Sequence, residues 1–307
     1  MNETFLVMDI ETVPDLTVWQ PAAPGIEKIQ IDSKPAKASL EFLQVVIGRI
    51  KGGTPTHQDD IDKAHDIARR ADMKDELGVL EEHILPEQQK SEFAPVYAQA
   101  PVAIGCVWLD FDLSVKKVGC LKIQENKTLL EGEPILLAEW NDFMASKRPT
   151  IVTWNGRGFD LPALMLRSFR HGLNLNWYFG TRDYRYRYSE EKHLDLMDAM
   201  ADYGAVRSMK LDAIATLAGL PGKHDDMDGS KVAGMFDEGR IAEIAQYCTS
   251  DTVQTAFVFM RWRLIKGQIS LEMYRDAVST LLQTIEKEPA TERLHSLINK
   301  PSLLLQP

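Results

Sequence analysis

Residues 5–15, FLVMDIETVPD, begin with a continuous apolar run over 5–8 and then carry two acids spaced two apart, Asp9 and Glu11. An unbroken apolar run of this length reads as a central buried strand, which sets an α/β frame for the chain. Side chains two apart on a strand point the same way, so Asp9 and Glu11 face one cleft at the strand's end. Desolvating a carboxylate beside an apolar element is costly, and a shared divalent-metal site would account for placing two there. By itself the pattern decides little, since Asp-x-Glu arises by chance in a chain with 45 acidic residues.

Moving outward, residues 101–109 and 117–124 read as two further strands separated by a short turn at 110–114. Residues 133–146 read as a helix opened by Pro134, and 150–154 as a β-branched strand ending in the glycine-containing loop 155–158. A helix is expected from near Asp160 to about His171, closed by Gly172. Shorter helices are expected over 194–203 and 211–218, a long one over 240–266, another over 271–285, and a short one over 292–299. The least readable part is 16–92, an insertion after the first strand. Within it, 21–35 looks like loop, 39–51 is amphipathic, and 59–83 is charged and helical.

Two more acids stand at element boundaries. Asp160 lies two residues before Pro162 at a helix start, where N-capping is an ordinary role. Asp251 follows Tyr247 by four positions on the long helix, which puts phenol and carboxylate on one face a turn apart. Each has a bland explanation taken singly. Their order gives them joint weight: a strand-end Asp-x-Glu, then a strand–loop–helix with Asn155 and Asp160, then a helical Tyr-x-x-x-Asp.

In that order, DIET, NGRGFD and YCTSD resemble the three motifs of the DEDD (DnaQ-like) 3'-5' exonucleases. Within that superfamily the chain is similar to predicted exonucleases related to the proofreading domain of family B DNA polymerases. HLDLMDAM and LAGLPGKHDDMDGSKV add to the likeness, which covers roughly 1–15 and 93–265 and leaves most of 16–92 outside. The resemblance implies a ribonuclease H-like mixed sheet flanked by helices, with a helical insertion after the first strand. The exonuclease domain would span 1–266, with 16–92 inserted and 267–307 a C-terminal helical extension.

By the same resemblance, Asp9, Glu11, Asp160 and Asp251 would bind two Mg2+ or Mn2+ ions, and Tyr247 would mark the DEDDy subclass. A phenol ionising near ~10 is a poor base at neutral pH, so Tyr247 is expected to orient the attacking water. Thr12 and Val13 would touch the terminal nucleotide, Asn155 its backbone, and Phe159 would stack on a base, although packing explains Val13 and Phe159 about equally well. Asp195 reads as a helix cap or a fifth acid near the site. The implied reaction is hydrolysis at the free 3' end of single-stranded nucleic acid, with DNA favoured and nucleoside monophosphates released. An RNA-trimming enzyme and a non-catalytic nucleic-acid-binding protein on the same fold are the alternatives.

The 307 residues, 44% hydrophobic, suffice for a sizeable core. A net charge of −10 argues at first against nucleic acid. Residues 54–92, however, hold eleven acids against five Lys and Arg, a local −6 that leaves −4 elsewhere. Residues 167–193 lean the other way, with Arg182, Arg185 and Arg187 alternating with Tyr184, Tyr186 and Tyr188. Such a stretch either tracks a phosphate backbone and stacks on bases, or turns arginines outward and tyrosines into the core. His57, His65 and His83 lack metal-site spacing, and DDMDG at 225–229 lacks the final acid of a calcium loop. Cys106, Cys120 and Cys248, with no paired spacing, read as reduced core residues of a cytoplasmic protein. No signal peptide or membrane span is expected, and the chain reads as a free-standing nuclease without polymerase domains.

Overall fold

The structure is a computed structural model that describes residues 3–20, 37–54, 56, 58–81, 93–222, 229–298 and 300–305. It divides into two compact units, Met1–Trp19 with Ala94–Pro307, and Gln20–Phe93. The first strand, β1 (Phe5–Pro14), runs well past the apolar stretch, so Asp9 and Glu11 lie within it rather than at its end. The extra length comes from pairing with a long neighbouring strand that continues beyond the acids.

The unit Gln20–Phe93 holds α1 (Lys37–Lys51), α2 (Gln58–Arg70) and α3 (Lys74–Glu81). They bury Leu43, Val46 and Ile47 against Ile61, Ala64, Ile67, Ala68 and Leu80, a core of their own. The helix expected over 59–83 is two helices, broken where Asp72 takes a left-handed φ of 54°. The loop expected over 21–35, together with His57 and His83, lies outside the described residues.

The chain re-enters the first unit through β2 (Gln99–Leu109), β3 (Val115–Lys122) and α4 (Leu129–Lys147). The last begins a turn before the expected Glu133, because Thr128 and Glu131 form a capping box and Pro134 is tolerated inside. Next come β4 (Thr150–Thr153), α5 (Asp160–Arg170), α6 (Asn176–Phe179), β5 (His193–Asp195) and α7 (Leu196–Met200). β5 corrects the expectation of helix from Leu194, since three residues paired to β4 are too short to show a period in sequence. Finally α8 (Leu211–Leu217), α9 (Gly229–Asp237), α10 (Ile241–Ile265) and α11 (Leu271–Lys287) precede short 3-10 turns.

The sheet order is β3-β2-β1-β4-β5. β2 is antiparallel to β1 and β3, while β4 and β5 run parallel to β1, the ribonuclease H-like arrangement of an α/β fold. Even-numbered Leu6, Met8 and Ile10 face α4 and α5, and odd-numbered Phe5 and Val7 face α10 and α11. Residues after Lys266 join this second core through Tyr274, Leu281, Leu294 and Leu303.

Two features of the sheet set the surroundings of the acids. Of β1, β4 pairs with Phe5, Leu6 and Val7, so beyond Val7 the β4-side edge of β1 has no strand beside it among the described residues. On the other edge Asp9 lies opposite Gly105 of β2. A side chain at Gly105 would collide with the Thr252 hydroxyl and meet the Cys248 carbonyl at 2.9 Å and its sulfur at 3.1 Å. Glycine there lets α10 settle directly on the sheet beside the acids.

Candidate active site

The alternation that sends Phe5 and Val7 toward α10 continues into Asp9 and Glu11, so both acids project to the side of the sheet that α10 covers. Cys248 of α10 joins them: ligand atoms of Asp9, Glu11 and Cys248 all lie within 4.8 Å of one another. The sequence places Cys248 simply in the core; its one further signal is its position inside YCTSD, next to Tyr247. Its chemistry is still that of a pin. The thiol donates to the Asp9 carbonyl at 3.4 Å, its sulfur accepts from the Gly105 N–H at 3.1 Å, and burial pushes its ionisation well up.

Tyr247 and Asp251 stand one turn apart on α10, both buried. Burial first, then the charges of Asp251, Glu11 and Asp9, push the phenol far above its ordinary range. Those charges place Tyr247 among the three acids. With those acids ionised and no cation among them, the phenol keeps its proton at neutral pH.

Asp160 approaches from the open edge of β1. It is the first residue of α5 and not its cap; Phe159 occupies the cap position and makes no side-chain cap bond. The Ile10 N–H, on the edge of β1 that β4 leaves unpaired, lies close enough to favour the ionised Asp160 carboxyl. Desolvation, assisted by the nearby Asp195 charge, nevertheless pushes its pKa up to about 7. Its Oδ1 is buried with no hydrogen-bond partner among the described residues. An orphaned carboxylate oxygen among further acids is an acceptor set suited to a hard cation, which takes oxygen ligands.

Asp195 does cap α7, accepting from Met197 N at 3.1 Å, and it also accepts from Asn155 N at 3.0 Å and Arg157 N at 2.9 Å. It therefore holds the loop before Asp160, where Asn155 adopts a left-handed φ of 65°. Behind the site, buried Arg167 of α5 bonds Asp15, just past β1, and Glu133 of α4, each at 2.6 Å. Burial alone would raise Asp15, but bonds from Thr17 and Arg167 hold it below the usual carboxylate range. This network fixes α5, and with it Asp160, against the end of β1.

The smaller expectations divide. Thr12 is half-buried with its hydroxyl on Gln99 Oε1 at 2.8 Å, and Val13 is core, so packing accounts for Val13. Phe159 is half-buried against the α4-side core. Tyr184 is buried with its hydroxyl donating to the Pro149 carbonyl at 2.9 Å, whereas Tyr186 and Tyr188 are exposed. The acidic loop 225–228 lies outside the described residues. No helix among the described residues is long and apolar enough to cross a membrane.

A protein-family model described as "Predicted 3'-5' exonuclease related to the exonuclease domain of PolB" matches residues 91–300. The match takes in Asp160, Tyr247 and Asp251 and leaves out Asp9 and Glu11, which reach the site through the pairing of β1. No curated protein matches the sequence. Among solved structures, the family B DNA polymerase from the hyperthermophilic archaeon Pyrobaculum calidifontis matches at 15% identity and a TM-score of 0.42. The alignment covers 63% of this chain and 27% of the polymerase, so the chain spans about a quarter of that protein's length.

Proposed function

This chain belongs to the family of predicted 3'-5' exonucleases related to the exonuclease domain of PolB, and from that premise we propose that it is a metal-dependent exonuclease. It removes nucleoside monophosphates from the free 3' end of single-stranded nucleic acid. DNA is the favoured polymer, in keeping with the family's relation to a DNA polymerase domain. The observation that carries this reading is the gathering of Asp9, Glu11 and Asp251 at Tyr247, together with a buried Asp160 oxygen that has no hydrogen-bond partner among the described residues. The three free cysteines support a cytoplasmic setting.

In this reading Asp9, Glu11, Asp160 and Asp251 hold two Mg2+ or Mn2+ ions. A bound pair of such ions supplies an ionised water at neutral pH and stabilises the leaving oxygen of an in-line displacement. Tyr247, fixed in its protonated form, donates a hydrogen bond that orients the attacking water or a phosphate oxygen. Protons compete with the cation for Asp160, whose pKa burial raises above the usual carboxylate range, so activity is expected to fall as pH drops. Thr12, Asn155 and Phe159 line the approach of the terminal nucleotide.

A time course on end-labelled single-stranded DNA and RNA with Mg2+, comparing wild type with Asp9→Ala, tests the reading. Stepwise shortening from the 3' end, lost with the substitution and with EDTA, is the expected result. Internal cuts, or cleavage that survives chelation, would overturn it.

A further inference from the structure

A cleft of about 560 Å3 opens beside the loop that leads to Asp160. Asn155 and Gly158 of that loop line it together with Arg157, Tyr178, Arg185 and Arg187. The Arg157 guanidinium donates to the backbone carbonyls of Tyr184, Ser189 and His193, at 3.3, 3.3 and 2.6 Å. It thus ties segment 184–193 to the loop, and it spends those hydrogen bonds on neutral oxygens. Burial lowers its pKa, and the Asp195 and Asp198 carboxylates nearby oppose that shift. Arg187 is balanced by Asp198 through bonds of 2.9 and 2.7 Å. Asp195 is engaged by the backbone N–H groups of Asn155, Arg157 and Met197.

Next to the cleft, the rings of Tyr186, Tyr188 and Tyr203 follow one another at 5.8 and 5.2 Å between centroids. Arg182 lies over Tyr186 at 4.2 Å and Arg185 over Phe179 at 5.1 Å. Tyr186 is 41% exposed and Tyr188 60%. Packing explains Tyr184, which is inside; it does not explain two large rings on the surface interleaved with exposed arginine. Cations beside ring faces in a row are the chemistry that single strands meet, charge for phosphate and ring for base.

We propose that this cleft and the adjoining tyrosines form a binding track for single-stranded polynucleotide, with Arg185 taking a backbone phosphate, Arg157 holding the segment that carries it, and Tyr186 and Tyr188 stacking on bases. The track rests on the exonuclease reading for its direction: the strand leaves the acids past Asn155 and continues across segment 182–188. Arg157 holds that segment in place before the strand arrives, which lowers the ordering cost of binding.

The test is fluorescence anisotropy of labelled single strands in EDTA, where nothing is cut, comparing a dinucleotide with DNA and RNA of about 12 nucleotides. Wild type is expected to bind the longer strands more tightly, with an affinity that falls as salt rises. Arg185→Ala is expected to weaken that binding about tenfold and to reduce the salt slope by about one. Tyr188→Ala weakens it by about five- to tenfold and leaves the slope unchanged. Both positions are exposed, and circular dichroism confirms that the variants are folded.

Binding of the longer strands within about twofold of wild type by both variants would overturn the track, as would equal affinity for dinucleotide and longer strands. The DNA and RNA arms separate the two sources of the same chemistry. If wild type binds through Arg185 yet cuts nothing with Mg2+, the track stands and the exonuclease reading falls. If it cuts while both variants bind normally, the reverse holds.

Discussion

Asp160 and Tyr247 are held protonated by the same cause, burial among acids, with different outcomes. In the unfolded chain Asp160 ionises near its ordinary 3.8, whereas in the fold it keeps its proton up to about pH 7. The native state therefore binds the additional proton between those values. Metal-free stability falls as pH rises from about 4 to about 7 and then levels, by an amount on the order of a few kcal/mol. Asp160→Asn should flatten that slope in urea melts taken in EDTA across the window; an unchanged slope would place the titration elsewhere. Burial and the neighbouring acids keep the Tyr247 phenol protonated, so Tyr247→Phe removes its hydroxyl without removing a charge. It is expected to slow single-turnover cleavage by about a hundredfold. Calorimetry should find its Mn2+ affinity close to wild type, whereas a phenol that ligated the ion would lose both.

Among the elements, the contact of α10 with β2 is the most sensitive. Gly105→Ala inserts a methyl group where Cys248 and Thr252 already touch the strand. The expected cost is about 1–3 kcal/mol in urea unfolding. A larger proportional loss of cleavage should accompany it, because α10 carries Tyr247 and Asp251 away from Asp9. How much of this is legible in sequence differs from element to element. The order DIET, NGRGFD, YCTSD points to the acids, and the long α10 is readable from its apolar period. The three residues of β5 are hidden because pairing to β4, not local pattern, makes them a strand. The early start of α4 is legible in Thr128-x-x-Glu131, a signal masked by Pro134, which is itself a common helix opener. Cys248 and Gly105 cannot be read at all: their roles arise from a contact across 143 positions of chain. The same holds for Arg167, whose partners Asp15 and Glu133 lie in separate elements.

For the molecule as a whole, the unit Gln20–Phe93 leaves and returns at neighbouring points. Pro14 pairs with Gln99, and the Asp15 N–H donates to the Ala98 carbonyl at 2.8 Å. The unit also has its own core. Replacing 20–93 by a short Gly/Ser turn is therefore expected to leave the remaining chain folded, with one cooperative thermal transition. A broad or absent transition would show that the sheet depends on the inserted helices. The excision also removes the acid-rich 54–92, so binding of single strands should become less sensitive to low ionic strength. The shortness of β4 has a meaning of its own at this scale. Its four residues stop before the acids begin, and that truncation leaves one edge of β1 open beside them. Were β4 extended by another pair of residues, the Ile10 N–H would belong to a neighbouring strand and Asp160 would be displaced from it. The same fold would then be a sealed slab, sound in its core and with no gap in the sheet beside Asp9 and Glu11.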